Sequence, residues 1–516
     1  MRTTSSIFAL ALLTGSYAIP HGQLQNRLAG IQWADCPPEL NAFDPHGRTF
    51  GCGTLEVPLD YTGEIPGTLK LDLLKVPAMK ESKKGSILFN WGGPGGDGVF
   101  NMASASPIVQ PMTGGEHDLI SWDPRGTGET LAYNCYPNAT DRAATVRWHH
   151  GQFANASEAA LGRTWAEGKI LADDCAETLK DIGSLVGTAF TVRDMFQIVD
   201  ALGEDGKLRY WGFSYGTTLG ATALAMFPDR IDRAILDGVQ NPMQHYHTFG
   251  DPEMYTDSDE TWQEFLKACM ENPNACALAK HASSAGELGE KIDRLIDNLK
   301  EEPIPAGQSI FGYSEIKGLM IGKLYYPSQY SDLADQLEWM LTRNITAFSG
   351  LSGIEDPQTV AAATSPEALF GIRCSDKVPR TDNLELVRAE LEGQIYRTST
   401  IFGDTPTNTM TACAQWHFAA KERYSGDFRV KTSSPALIIG NTWDPVTPLK
   451  SARTISELFE GSALLQHNGH GHMTIAQPST CTSKHIADYF LTGTLPQPGT
   501  ICEPDTPLFH KKPKSS

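Results

Sequence analysis

Residues 208–227 read as a strand running directly into a helix through five residues, Gly212-Phe213-Ser214-Tyr215-Gly216. Leu208 to Trp211 is a short apolar run with strand character, and Thr217 to Phe227 carries a helical pattern. A turn this tight forces the serine backbone into strained geometry, and side chains at the two flanking positions would collide there, hence the glycines. The Ser214 hydroxyl is then held up at a sheet edge beside the positive end of a helix. A Gly-x-Ser-x-Gly run alone is common; between a strand and a helix it predicts a nucleophile elbow.

The neighbouring sequence fits the sheet that such an elbow requires. Thr68 to Val76, Gly85 to Asn90, His117 to Trp122 and Arg233 to Asp237 read as further strands. Between them lies a helix over Thr191 to Leu202, with Val192, Met195, Phe196, Val199 and Leu202 on one face. Strands alternating with helices predict an α/β fold, a mostly parallel sheet covered on both faces. That rhythm stops after Asp237, and from about Asn241 to Arg429 the pattern is mainly helical. Its helices are expected over Glu260–Met270, Ala285–Leu299, Ser314–Leu324, Ser331–Thr342, Ser365–Ile372 and Asn383–Tyr396. Strand patterns resume at Pro435–Asn441 and Ser462–His467. The expected organisation is core over 19–240, a large helical cap over 241–429, core again over 430–505 and a tail over 506–516. A cap inserted there would cover the carboxyl edge of the strands, where such sheets carry their sites.

A serine hydroxyl becomes a nucleophile only when a base takes its proton. Gly469-His470-Gly471-His472 offers two imidazoles late in the chain. His472, last in the run and next to a potential helix start at Met473, is favoured over His470, which reads as a loop residue. The acid that orients the base should follow a strand and precede it in the chain. Asp444 in Asn441-Thr442-Trp443-Asp444-Pro445 satisfies both; Asp237, before Gly238, is the runner-up and is also a common turn former. Donors for a developing oxyanion are expected from the Tyr215 backbone N–H and from Asn90-Trp91-Gly92-Gly93-Pro94-Gly95-Gly96, with Gly93 the first choice and Gly92 the second. No Lys-Ser/Thr follows these glycines, which argues against a phosphate loop. Asp123 and Arg125 are expected to form a local ion pair that buttresses the oxyanion loop. His470 with His472, and His245 with His247, are spaced like metal ligands but lack an evident third partner, so no metal or organic cofactor is expected.

Composition narrows the compartment and the partners. With 42 basic and 61 acidic residues the formal net charge is −19, which argues against binding nucleic acid or an anionic membrane surface. Arg2, the apolar run Ile7 to Leu13 and Ser16-Tyr17-Ala18 have the layout of a signal peptide cleaved after Ala18, too short to span a bilayer. Asn138, Asn155 and Asn344 begin N-x-S/T sequons, consistent with a secreted, extracellular protein. All ten cysteines lie beyond the signal segment. Pairing each with its nearest neighbour closes local loops: Cys36–Cys52, Cys135–Cys175, Cys269–Cys276, Cys374–Cys413 and Cys481–Cys502.

Gly212 through Pro242, with Phe227-Pro228-Asp229-Arg230 and Leu236-Asp237-Gly238-Val239, resembles the secreted tripeptidyl-aminopeptidase branch of the prolyl-aminopeptidase-like α/β-hydrolases. The Gly92-Gly93-Pro94-Gly95 loop, Asp444 to Pro448 and Gly469 to His472 share the resemblance. Cys374-Ser375-Asp376 and Cys413-Ala414-Gln415-Trp416 resemble stretches just before that family's TAP-like C-terminal core segment. The likeness runs from about residue 50 to 502. It departs at Asn90-Trp91, where relatives with exopeptidase activity often carry His-Gly or Gln-Gly. The resemblance implies release of short peptides or single residues from free N-termini, through a carboxylate that binds the substrate ammonium and a lid that excludes long chains. Asp376 is the candidate carboxylate because it lies in a family-like stretch, although most acidic residues are simply solvated. A carboxylesterase or small-molecule hydrolase using the same triad is the alternative, marked by an apolar cap interior without an inward carboxylate. A non-catalytic binding protein on this fold would need a broken triad, and all three members are present.

Overall fold

The structure, a computed structural model, describes residues 30–81, 84–136, 138, 140, 142, 152–306, 309–344 and 366–509. The expected signal segment 1–18 lies outside the described residues, as does most of the expected tail. In chain order the strands are β1 (Gln32–Asp35), β2 (Gly51–Pro58), β3 (Thr68–Val76), β4 (Ser86–Asn90), β5 (Asp118–Trp122), β6 (Leu208–Phe213) and β7 (Ile231–Asp237). They continue with β8 (Ile304–Ala306), β9 (Ser309–Phe311), β10 (Leu437–Trp443), β11 (Ala463–His470) and β12 (Ile501–Cys502). Ten of them form one sheet in the order β1-β2-β3-β5-β4-β6-β7-β10-β11-β12, and β8 pairs with β9 in a separate hairpin. β1, β2 and β3 enter antiparallel; from β5 to β12 every pairing is parallel.

The parallel strands read as continuous apolar runs because both faces are covered. Ile87 and Phe89 of β4 face one hydrophobic cluster while Leu88 faces the other. Tyr210 and Leu236 join Leu88; Trp211, Phe213 and Ile235 join Phe89. Each such side chain, fully buried, stabilises the fold by roughly 1.5–3 kcal/mol before conformational entropy is counted. A strand that alternates between two cores cannot slip by one residue without exchanging all of these contacts.

Between β7 and β10 the chain is mainly helical, including Ser258–Glu271, Ala285–Asn298, Tyr313–Leu324, Tyr330–Leu341 and Pro366–Asp376. These segments build a third cluster around Trp262, Phe265, Leu266, Ile292, Met320, Leu333 and Leu337. The spacing of 262, 265 and 266 puts them on one face of their helix, so the insertion has a core of its own. The five disulfides join Cys36–Cys52, Cys135–Cys175, Cys269–Cys276, Cys374–Cys413 and Cys481–Cys502, leaving no free cysteine. Because β4, β6, β7, β10 and β11 are mutually parallel, the loops after them gather on one edge of the sheet.

Candidate active site

Ser214 sits between β6 and the helix Tyr215–Met226 with φ 54° and ψ −123°, a conformation that L-residues rarely adopt. Its amide donates to Asp237 O (3.1 Å) and its carbonyl accepts from Thr217 N (2.8 Å), which pins the turn from both sides. The flanking glycines are required by contact. A Cβ on Gly212 would lie 2.3 Å from Gly216 O, and one on Gly216 would lie 2.6 Å from Asn90 O. Strain of this kind costs on the order of 1–3 kcal/mol and persists only where the surroundings over-determine it.

The loop after β4 meets this turn. Gly92 N–H donates to Asn90 Oδ1 (3.1 Å), so the asparagine folds the loop back on itself and engages that amide. Among the described residues, neither the Gly93 nor the Tyr215 amide donates to a loop carbonyl or a side chain. A Cβ on Gly92 would lie 2.9 Å from Ser214 Cβ and 3.0 Å from Tyr215 N, so the glycine loop packs directly against the turn that carries Ser214. The Trp91 ring stacks on buried Phe213 at 5.2 Å, which packs the loop onto the end of β6.

Asp444 follows β10 and His472 follows β11, on adjacent parallel strands. His472 Nδ1 lies 2.9 Å from Asp444 Oδ2 and 3.2 Å from Oδ1. Asp444 Oδ1 also accepts the amides of Val446 (3.0 Å) and Thr447 (2.9 Å), and Oδ2 accepts that of Met473 (3.2 Å). Burial alone would raise this carboxyl; the His472 imidazole and these hydrogen bonds outweigh it and hold it below the ordinary carboxylate value. Thr447 Oγ1 bridges the pair, 2.6 Å from Asp444 Oδ2 and 3.0 Å from His472 Nδ1. Sequence reasoning did not single out Thr447; its position three residues after a strand-terminal aspartate was the available signal. His472 Nε2 is buried without a hydrogen-bond partner, so the imidazole and the Ser214 hydroxyl are not yet a bonded pair. They are neighbours across the Asp237–Gly238 turn: Asp237 O holds Ser214 N, and a Cβ on Gly238 would lie 3.4 Å from His472 Cε1. Unliganded sites commonly hold such contacts long until substrate closes them.

The other candidates lie elsewhere. His470 stacks on Trp443 at 4.2 Å with both ring nitrogens buried and unpartnered, and burial pushes it down to about 3. Asp237 accepts Thr474 N (3.0 Å) and Thr474 Oγ1 (2.6 Å), bracing the loop that follows His472; burial pushes it up to about 6 despite these bonds. His245 is buried with Nε2 3.1 Å from Asp376 Oδ2. The Cys481, His485 and Cys502 ligand atoms are close together, but both sulfurs are spent in a disulfide.

Two expectations are corrected. Asp376 is fully buried, with its oxygens taken by Thr188 N (2.9 Å), Thr188 Oγ1 and His245, so it is closed to a substrate ammonium in this structure. Thr188 Oγ1 in turn meets the Tyr215 hydroxyl, so Asp376 braces the helix behind the nucleophile. Arg125 does not pair with Asp123. Its guanidinium bonds Asp194 through Nε (2.5 Å) and Nη2 (2.8 Å), because Asp194 is fully buried and could not stay charged there alone. Asp123 instead accepts Gly98 N (2.9 Å) and Val99 N (3.0 Å), the first amides of the helix Gly98–Met112 that follows the loop of residues 91–96.

Residues 85–333 match the family described as alpha/beta hydrolase fold, and residues 399–502 match the one described as TAP-like protein. The chain has the α/β-hydrolase fold. It is a serine hydrolase on that fold, with a C-terminal segment that matches the TAP-like model. This hydrolase is similar to a tripeptidyl aminopeptidase of Streptomyces coelicolor, 26% identical over 92% of this chain and 86% of the relative. It is likewise similar to the serine protease Hip1 of Mycobacterium tuberculosis, 26% identical over 92% of this chain and 91% of the relative. A carboxylesterase B of M. tuberculosis is 27% identical over 92% of this chain and 90% of its own length.

Proposed function

We propose that Ser214, His472 and Asp444 are the catalytic triad of a secreted exopeptidase that releases short peptides or single residues from free N-termini. The observation that carries the triad is a buried Asp444–His472 pair at 2.9 Å, set beside a serine at φ 54°. Ser214 Oγ attacks the scissile carbonyl carbon while His472 Nε2 takes its proton. The carbonyl oxygen becomes an oxyanion and is received by the N–H groups of Gly93 and Tyr215. Collapse breaks the C–N bond, and the imidazolium returns the proton to the departing amine. Water, deprotonated by His472, then attacks the acyl-enzyme ester and frees Ser214. Asp444 keeps the imidazole in one tautomer and stabilises its charge, with Thr447 fixing the contact.

The peptidase reading rests on the resemblance in both core halves and on relatives named as a tripeptidyl aminopeptidase and a serine protease. Secretion is supported by the Arg2–Ala18 leader pattern, the five disulfides and exposed asparagines at 138, 155 and 344. The second reading, a carboxylesterase or small-molecule hydrolase, is favoured by the equally similar carboxylesterase B and by the closure of Asp376. The deciding experiment compares tripeptidyl, dipeptidyl and aminoacyl amides, free and N-blocked, with p-nitrophenyl esters, using wild type and Ser214→Ala. Turnover of free amides only, abolished in Ser214→Ala, supports the exopeptidase. Turnover of esters alone makes the protein an esterase.

A further inference from the structure

The loop that carries His472 is bonded to the core at every neighbouring peptide. Gly471 N donates to Trp443 O (3.0 Å), and Asn441 Nδ2 donates to Gly471 O (2.9 Å) and Met473 O (2.8 Å). Met473 N donates to Asp444 Oδ2. The amide of His472 itself goes elsewhere. It donates to Tyr325 O (2.8 Å), in the helical insertion, between the helices Tyr313–Leu324 and Tyr330–Leu341. The Tyr325 ring then meets the imidazole edge to face, with centroids 4.8 Å apart and planes at 69°. Gly471, at φ 86°, allows this approach: a Cβ there would lie 2.5 Å from Tyr325 O and 2.7 Å from Pro327 Cδ.

We infer that Tyr325, a residue of the helical insertion, is a positioning residue for His472. The argument rests on the triad proposed above. The Asp444 contact fixes Nδ1 but leaves the ring free to tilt about that bond. The Tyr325 carbonyl holds the backbone from the opposite side, and its ring limits the tilt that would carry Nε2 away from Ser214. A base displaced by about 1 Å can lose on the order of 100-fold in rate without loss of substrate binding. The insertion thereby supplies part of the frame that seats the base.

The test uses the full chain and whichever amide or ester wild type turns over, with Tyr325→Leu, Tyr325→Phe and, as control, Tyr326→Leu on the adjacent half-exposed ring. Tyr325→Leu is expected to lower kcat roughly 10- to 100-fold, within the range general-base catalysis supplies, and to slow fluorophosphonate labelling of Ser214 equally, with KM within about threefold. Tyr325→Phe keeps the ring and restores kcat to within about twofold, and Tyr326→Leu matches wild type. If Tyr325→Leu does not fold, Tyr325→Met carries the same expectation. An unchanged kcat, a loss confined to KM, or an equal loss in Tyr325→Phe overturns the inference. Ser214→Ala separates the two claims: if it stays active the triad itself fails, whereas a dead Ser214→Ala with an unaffected Tyr325→Leu removes only the role of Tyr325.

Discussion

Gly92 and Ser214 approach so closely that a Cβ on the glycine would lie 2.9 Å from the serine Cβ and 2.5 Å from Phe213 O. The glycine also holds φ 86°, so any side chain there is both strained and obstructed. Gly92→Ala is therefore expected to push the Gly93 amide away from Tyr215 N while leaving both hydrophobic cores intact. Loss of one oxyanion donor should lower kcat about 100-fold or more with little change in KM. Steady-state kinetics beside a thermal melt check this; a fully active Gly92→Ala would remove the loop from the oxyanion site.

Two buried carboxylates lie at the ends of neighbouring strands, Asp237 as the last residue of β7 and Asp444 just after β10, and their partners assign them different work. Asp444 faces the imidazole; Asp237 faces the amide and hydroxyl of Thr474. Asp444→Asn should lose on the order of 10⁴ in kcat through the wrong imidazole tautomer. Asp237→Asn should lose less than about tenfold in kcat, its cost appearing as roughly 1–2 kcal/mol of stability from a weakened hydrogen bond. Measuring kcat and urea midpoints for both variants decides; equal losses of kcat would mean that Asp237 shares the acid's role.

The parts of the proposed site that lie within one strand and its following turn are the ones the sequence marks. Ser214 was marked by its glycines, and Asp444 and His472 by their order and strand-end positions. What escaped was pairing over distance. Arg125 looked local to Asp123, yet its partner is 69 residues away, because only tertiary packing brings Asp194 to it. Asp376 stood in a suggestive stretch, but no local pattern reveals that Thr188 and His245 enclose it. Tyr325 carried no motif, since one contact with His472 runs through a backbone carbonyl that any residue supplies and the other, ring to ring, exists only in the fold. The helix Gly98–Met112 was missed for a different reason: Pro107 and Pro111 lie inside it and disguise its pattern. Where helices carried a clear apolar stripe, as in 258–271, the expectation and the structure agree within a few residues.

The start of that proline-bearing helix gives a pH dependence. Burial and the neighbouring Asp97 carboxylate push Asp123 up to about 8, against the amides of Val99 and Gly98 that favour its charge. The unfolded chain loses the same proton near pH 4. A raised carboxyl contributes stability that is complete below about pH 4 and is lost as pH rises toward about 8. Asp123→Asn keeps the oxygen that accepts Gly98 and Val99 and places a donor where the proton was. Its urea midpoint should therefore vary less between pH 5 and pH 8 than that of wild type, roughly within the window set by linkage. Identical pH profiles for the two proteins would rule out a protonated Asp123.

Arg125 and Asp194 are each fully buried, and the rest of the guanidinium is used on main-chain oxygens: Nη1 donates to Leu59 O (2.6 Å) and Nη2 to Pro58 O (2.6 Å). Tyr61 completes the carboxylate by donating to Asp194 Oδ1 (2.7 Å). The pair thus ties the end of β2 to the helix Thr188–Ala201, whose first residue, Thr188, holds both Asp376 and the Tyr215 hydroxyl. Removing one partner leaves an uncompensated charge in the core, which costs about 3–5 kcal/mol. Arg125→Met should therefore lower the urea midpoint sharply and carry activity down with it only through unfolding. Asp194→Asn keeps the shape but strands the buried guanidinium, which cannot shed its charge, so its loss should be comparable to that of Arg125→Met. At denaturant-free conditions, folded Asp194→Asn should retain kcat within about twofold, because the contact reaches Ser214 only through the packing of two helices. A large kcat loss in a variant whose melt is unchanged would instead place the Arg125–Asp194 pair in the chemistry.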